Sequence, residues 1–502
     1  MRLPFPERVP FVPTFAFAAV LCAIQLYQGT SSVFALFSFF YILVAAQAFN
    51  VAGGFTHTSG AFVFFNATLG VIVGLCLKAY LGEPADSNLL APLLTIEVYF
   101  VGMCMMLLAV FLSKKVSTKH SILGKMITDD KLQTATVGCL IAGILINAAG
   151  FVLPGGNGSV ISALNQINRF FPLAAILGVI NTIRRSGGTR SVNLPVLLAV
   201  SFMFAIGALG FSKEGMFAPF ACWLLAAASQ RYWLSRRQIV VIILVIIFIF
   251  RYLVPYSQYG RNLRDENGGM NFSLSLNLLL NLGYVRQQYL ESAADAYDER
   301  IYGYFNTSQG FFDRLEMFAI DDALINETEQ FGTFGFSPII MGLENMVPHF
   351  IWKDKPQVLI GNIWAHEIGL LSNEDTSTGV SFSSTASAFH LLGWAGVFFL
   401  APAIWFILFV LFDSLCGDIR KSPWGLLVLV LYVHAAPEGD LPSLMYMYVY
   451  TSFGIVFAGL MGAYVMPILG TFFIGPEGIT IRRGAPVRSI PNRLLRSASS
   501  EN

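Results

Sequence analysis

The sequence predicts an all-α polytopic membrane protein of about 12 transmembrane helices, with one large, mainly helical outer loop between spans 9 and 10. Three observations predict it. Apolar residues make up 55% of the 502 residues, charged residues only 12%, and mean hydropathy is +0.64, whereas a soluble chain carries about a quarter charged residues. Apolar stretches close to the ~20 residues needed to cross hydrocarbon recur along the chain. A single polar stretch of roughly 130 residues, from about Pro255 to Thr385, interrupts them.

Nine spans are expected within 1–255, at about 11–27, 31–54, 60–81, 88–112, 132–153, 161–183, 191–211, 215–233 and 238–255. An extracytoplasmic helical cap follows at 256–385, then three spans within 386–470, at about 386–412, 424–437 and 441–465, and a basic cytoplasmic tail at 471–502. The N-terminus lacks a small-residue cleavage site followed by a soluble domain, so the first span reads as an anchor that stays.

Orientation follows from Lys and Arg in the short connections. With the N-terminus inside, the inner connections and both tails hold 20 of these residues, including Lys114, Lys115, Arg184, Arg185, Arg236, Arg237, Arg420 and Lys421. The short outer connections hold only Lys78 and Lys213. Both termini are therefore expected inside and the long loop outside.

The net charge of +1 conceals an asymmetry: 17 of the 30 acids but only seven Lys or Arg lie between Tyr256 and Thr385. A loop so acidic is no general trap for anions and excludes a nucleic-acid partner, so any cation that matters there acts individually. None of the six cysteines falls in it, and the chain has no CxxC, HExxH or Walker loop, so no metal or other cofactor is expected.

Within the loop, Phe311, Phe312, Leu315, Phe318, Ala319 and Ile325 recur at helical spacing, with Asn306, Thr307 or Ser308 as N-cap candidates. Phe272 to Val285, continued by Arg286 to Arg300, reads as an amphipathic helix lying on the outer leaflet of membrane lipid. These pieces suggest a helical cap resting over the mouth of a bundle.

Among ionisable residues inside spans, Arg169 stands in Asn165-Gln166-Ile167-Asn168-Arg169, about two turns below the outer end of the sixth span, with Glu97 of the fourth span as its expected partner. Either an interhelical hydrogen-bond cluster or a fixed cation for a phosphate explains it. Lys78, Lys213 and Arg251 sit at span ends, where snorkelling is the plain explanation.

Two short motifs near the expected outer surface are more specific: Gly210-Phe211-Ser212-Lys213-Glu214-Gly215, and Pro348-His349-Phe350-Ile351-Trp352-Lys353-Asp354-Lys355-Pro356 followed by Asn362, His366 and Gly393-Trp394-Ala395-Gly396. With the topology, they make the chain resemble the O-antigen polymerase and ligase family, in particular its oligosaccharide repeat-unit polymerases. The resemblance covers about Gly207 to Phe399. It departs from the family pattern in placing Lys213 where Arg is usual and His349 where Arg is common.

The resemblance implies a glycosyltransferase of the bacterial inner membrane that needs no metal. It would polymerise polyprenyl-diphosphate-linked oligosaccharides at the outer face, with a chain-length regulator and a flippase as partner proteins. Such chemistry requires cations on the departing diphosphate and an acceptor for the hydroxyl proton. Lys213, Arg314, Lys355 and Arg169 are the candidate diphosphate contacts, His349 and His366 the candidate catalytic bases, and Glu438 and Asp440 the candidate acceptor-sugar contacts. For each, a structural or solvated role is the alternative; for Arg314 it is an intrahelix pair with Asp313. The related glycan ligase, and a lipid-linked oligosaccharide flippase or polysaccharide exporter, are the competing functions.

Overall fold

The computed structural model describes residues 1–118, 120–124, 126–152, 168–266, 272–295, 303–307, 309, 313, 316–348, 351–352, 355, 358–376 and 378–475. Among the described residues the architecture is all-helical, with no strand beyond an isolated bridge between Arg2 and Trp233.

In chain order the helices are α1 (Phe11–Tyr27), α2 (Ser32–Ala52), α3 (Thr58–Leu81), α4 (Pro92–Val116), α5 (Leu132–Val152), α6 (Phe170–Arg185), α7 (Leu194–Leu209), α8 (Lys213–Ser229) and α9 (Arg236–Leu263). The polar segment contributes α10 (Phe272–Leu280), α11 (Leu282–Asp295), α12 (Phe318–Phe331), α13 (Ser337–Asn345) and α14 (Ile360–Glu367). The chain then returns through α15 (Ser384–Leu392), α16 (Gly396–Cys416), α17 (Pro423–Glu438) and α18 (Leu441–Ile474).

Among the described residues, seven helices (α2, α3, α4, α5, α9, α16 and α18) are long and apolar enough to cross a membrane. The five further expected spans are represented by α1, α6, α7, α8 and α17, each of 16 or 17 residues. The expected tenth span is divided rather than continuous. Gly393 ends α15 with φ +59°, a backbone state that glycine adopts at little cost, and the apolar helix resumes at Gly396.

The polar segment does not rest on the bundle; part of it enters it. Phe318, fully buried, packs its ring on Phe34 of α2, Tyr99 of α4 and Tyr304. The main chain follows it in. α3 widens into a π-turn at Thr68–Ile72, and the Met317 N–H donates to the Gly70 carbonyl there at 3.0 Å. One turn on, Gly74 makes room for Glu316 and Tyr304: a Cβ at Gly74 would stand 3.0 Å from the Glu316 Cβ. Irregular backbone inside an apolar bundle is tolerated only where its polar groups find protein partners.

Two neighbouring carboxylates supply those partners. Asp322 accepts the backbone N–H groups of Leu90 and Ala91 (3.1 Å for Ala91) and the Thr95 hydroxyl at 2.7 Å. Ala91, the N-cap residue of α4, has no capping side chain of its own, and Asp322 caps that helix from across the fold. Asp321 accepts the Tyr99 hydroxyl and the Ser383 N–H at 3.0 Å, so it ties α12 both to α4 and to the segment leading into α15.

The expected loop helix therefore begins at Phe318. Phe311, Phe312 and Leu315 lie outside the described residues, as does Ser308. Asn306 is no helix cap: its N–H donates to Glu83 and its side chain accepts from Asn88 at 2.9 Å. Lys78 does not snorkel. Its side chain is fully buried, pairs with Glu83 at 2.9 Å and lies 4.8 Å from the Tyr304 ring centroid. An Asn at 306 and a Tyr at 304 thus find a prepared seat at the end of α3. The Phe272–Val285 run forms two short helices, α10 and α11, whose Leu278 and Val285 pack with Phe211 and Tyr256 in a second core.

Burial pushes the Glu316 carboxyl up to about 8 and that of Asp321 up to about 6, against the donors that hold their ionised forms. An acid raised in this way keeps its proton in the folded chain at pH values where the unfolded chain has lost it. The stability these two acids contribute is therefore fully present below the ordinary carboxylate range and is lost as pH rises through about 6 and then about 8. Thermal unfolding of the full-length protein in detergent is expected to show this decline, and Glu316→Gln to flatten its upper half. Asp322→Ala should cost about 2–3 kcal/mol by stranding buried donors, and should expose the segment before α12 to protease; unchanged cleavage would remove its anchoring role.

Candidate functional site

The turn between α7 and α8 is built from its glycines. A Cβ on Gly207 would stand 2.4 Å from the Gly215 carbonyl carbon, so the two helices meet backbone to backbone. Between them Phe211 takes a left-handed conformation (φ +49°) and buries its ring against Tyr256, facing Gly260. The strain is held in place from α9. Ser257 donates to the Phe211 carbonyl at 2.5 Å, and Tyr256 to the Ala208 carbonyl at 2.9 Å. Ser212 then caps α8, accepting the Gly215 N–H at 3.0 Å. Gly207, Phe211, Ser212 and Gly215 are thus committed to the turn, and Lys213 and Glu214 stand in the first turn of α8.

Facing them is the start of α6. The helix begins at Phe170, so Arg169 stands at its N-cap rather than two turns inside a span, and Asn165 lies outside the described residues. The Asn168 side chain accepts the Phe170 N–H at 3.3 Å, and the Arg169 carbonyl accepts that of Leu173 at 3.0 Å. Arg169 is half-buried, and among the described residues its guanidinium makes no ion pair within 4 Å. The acid in electrostatic reach of it is Glu214, not the expected Glu97, and Tyr446 of α18 lies beside it.

The end of α17 completes the arrangement. His434 Nδ1 is 3.2 Å from Glu438 Oε2, one helical turn away, and Glu214 acts on this imidazole as well. A carboxylate only accepts, so this contact favours a proton on Nδ1, and in the neutral ring Nε2 is then the nitrogen open to another group's proton. Tyr446 stacks on Tyr450 with ring centroids 4.1 Å apart. One cation, a His–Glu pair, an acid and a flat aromatic pair thus gather where α6, α8, α17 and α18 meet. The i, i+4 spacing of His434 and Glu438 is the signal in the sequence that identifies this pair.

Other expected site residues are placed elsewhere. Lys355 is buried, with Nζ donating to the carbonyls of Asn345 (3.2 Å) and Val347 (2.9 Å), so it fastens the turn after α13. His366 sets Nε2 2.8 Å from the Asp375 carbonyl, which accepts only, so that nitrogen carries a proton and serves as a clamp. Asp440 is buried and caps α18, accepting the Ser443 N–H at 2.7 Å. Glu438, by contrast, belongs to the gathered site. His349 and Arg314 lie outside the described residues. His390 of α15 joins two helices of the polar segment, with Nδ1 2.8 Å from the Thr328 hydroxyl of α12, Nε2 3.1 Å from Glu367 of α14, and Trp364 of α14 packed edge-on against its ring.

The chain matches no protein-family model, no curated protein and no solved structure. The geometry of the turn is itself testable. Gly207→Ala forces α7 and α8 apart and should cost about 1–3 kcal/mol, while Ser212→Ala, which removes only the cap, should cost about 1 kcal/mol. Thermal unfolding of the two purified variants measures the difference; equal values would show that the helices do not rely on the glycine contact.

Proposed function

We propose that the chain is a bacterial inner-membrane glycosyltransferase that polymerises polyprenyl-diphosphate-linked oligosaccharide repeat units at the outer face, without a metal. In this reading twelve spans carry both termini inside, and the acidic segment faces outward as the cap over the site. Its observation is Arg169, a half-buried cation with no ion pair among the described residues, which shares the neighbouring acid Glu214 with a His–Glu pair.

A departing diphosphate develops negative charge that a fixed guanidinium neutralises through two parallel hydrogen bonds. The first turns of α6 and α8 present N–H groups at the same mouth, and their dipoles favour an anion there. Lys213, on α8, adds a second positive charge. The acceptor sugar's hydroxyl oxygen attacks the anomeric carbon of the donor chain. The bond from that carbon to the diphosphate oxygen breaks, with its electron pair leaving on the phosphate. The hydroxyl proton passes to Nε2 of His434, whose ring Glu438 orients and whose positive charge Glu438 then balances. Tyr446 and Tyr450 offer a flat apolar surface to a sugar face, and Glu214 an acceptor for sugar hydroxyls.

Purified protein acting on a lipid-linked repeat unit tests this. Arg169→Ala and His434→Ala should each lower turnover by about a hundredfold or more, with folding intact, and His366→Ala by only a few-fold. Wild-type turnover in both of the first two variants would remove the assignment. A host lacking the chain should accumulate single repeat units at the outer leaflet. Accumulation at the inner leaflet would identify a flippase instead, and full-length chains left on the carrier a ligase.

A further inference from the structure

α5 and α18 touch backbone to backbone along part of their length. A Cβ on Gly138 would stand 1.9 Å from the Met466 carbonyl oxygen, and one on Gly470 1.9 Å from that of Thr134. Contacts of this kind let two helices in lipid cross at the closest distance available to them. Further along α5 the residues turned to α18 are larger, and the two helices part. Between them is a half-open cleft of about 270 Å³, bounded by Ala142, Leu145 and Ile146 of α5 and by Phe457, Met461, Met466 and Leu469 of α18. Phe170 completes it from α6, buried against Phe457 with ring centroids 6.1 Å apart. The whole lining is apolar.

The position of Phe170 gives the cleft its meaning. Its chain neighbour is Arg169, a cation without an ion pair among the described residues, so an apolar slot and a positive charge adjoin at one helix start. A ligand filling both is an amphiphile with an anionic head and a hydrocarbon tail. We propose that the cleft seats the first isoprenyl units of a polyprenyl diphosphate whose phosphate lies against Arg169. This rests on the transferase reading for the identity of the lipid. The inference adds where the tail runs: along α5 and α18. Met and Phe line the slot, and the unbranched, rotatable thioether of Met461 adapts to a methyl-studded chain better than a β-branched residue would.

Full-length protein in phosphatidylcholine nanodiscs, irradiated with a polyprenyl diphosphate bearing a diazirine on its second isoprenyl unit, tests the placement. Label is expected on residues 142–146 or 457–469, competed by unlabelled polyprenyl diphosphate and not by phosphatidylglycerol in excess. Leu145→Trp, at a lipid-exposed position, should reduce that labelling and raise the apparent KM for the lipid-linked substrate about tenfold with kcat unchanged. Label confined to other helices overturns the proposal, and so does equal competition by phosphatidylglycerol, which would make the cleft an ordinary lipid contact. Cleft labelling in a protein that transfers no sugar leaves this proposal standing and removes the transferase. Turnover with label elsewhere does the reverse.

Discussion

The packing around α12 depends on how a short polar stretch, Glu316 to Asp322, is satisfied inside an apolar bundle. Phe318 supplies the apolar area, but an aromatic anchor alone would drag unpaired N–H and carboxyl groups in with it. The stretch avoids that cost by exchange. Asp322 caps α4, which has no cap of its own, and the π-turn of α3 offers the Gly70 carbonyl to Met317. Each side has what the other lacks. Glu316, whose surroundings favour the neutral acid, needs no countercharge at all.

The same economy explains which cations are available for chemistry. Lys78 is engaged by Glu83 and stacked near Tyr304, and Lys355 is engaged by two carbonyls. Both are buried, and a buried ammonium persists only where its protons are accepted. Arg169 differs because it stands at a helix start beside a cleft, with an acid in reach but not in contact. An anion arriving there meets a charge already partly stripped of water, where the attraction is stronger than at an exposed site.

Much of the helix order was legible in the sequence, because long apolar runs and their polar breaks are set by hydrocarbon thickness and local composition. α1, α2 and α17 begin or end within a few residues of the expected limits. What was illegible depends on rotation and on partners far along the chain. Periodicity marks Phe318 as one face of a helix, yet nothing local says that the face inserts between α2 and α4. Depth alone pairs Arg169 with Glu97, but helix rotation decides, and it brings Glu214 into reach. Lys355 looks like a free cation because its acceptors are backbone carbonyls, which no side-chain pattern announces. The Gly210–Gly215 motif was read for its lysine, while most of its residues serve the close approach of α7 and α8.

The Glu316–Asp322 stretch and the gathered site are joined by a short run of bonds. Asp321 holds the Ser383 N–H; Ser383 caps α15 through Ala386; and Ser387, one turn on, accepts the Leu441 N–H at 3.0 Å. Leu441 opens α18 immediately after the turn that carries Glu438, and Asn66 of α3 holds the Ala436 carbonyl of the same turn at 2.9 Å. The end of α17 is therefore fixed from two sides, by α3 directly and by the polar segment through α15. A His–Glu pair on a frayed helix end would sample many orientations, and proton transfer requires one. Docking the acidic segment into the bundle thus helps to fix the direction in which the end of α17 holds His434 and Glu438.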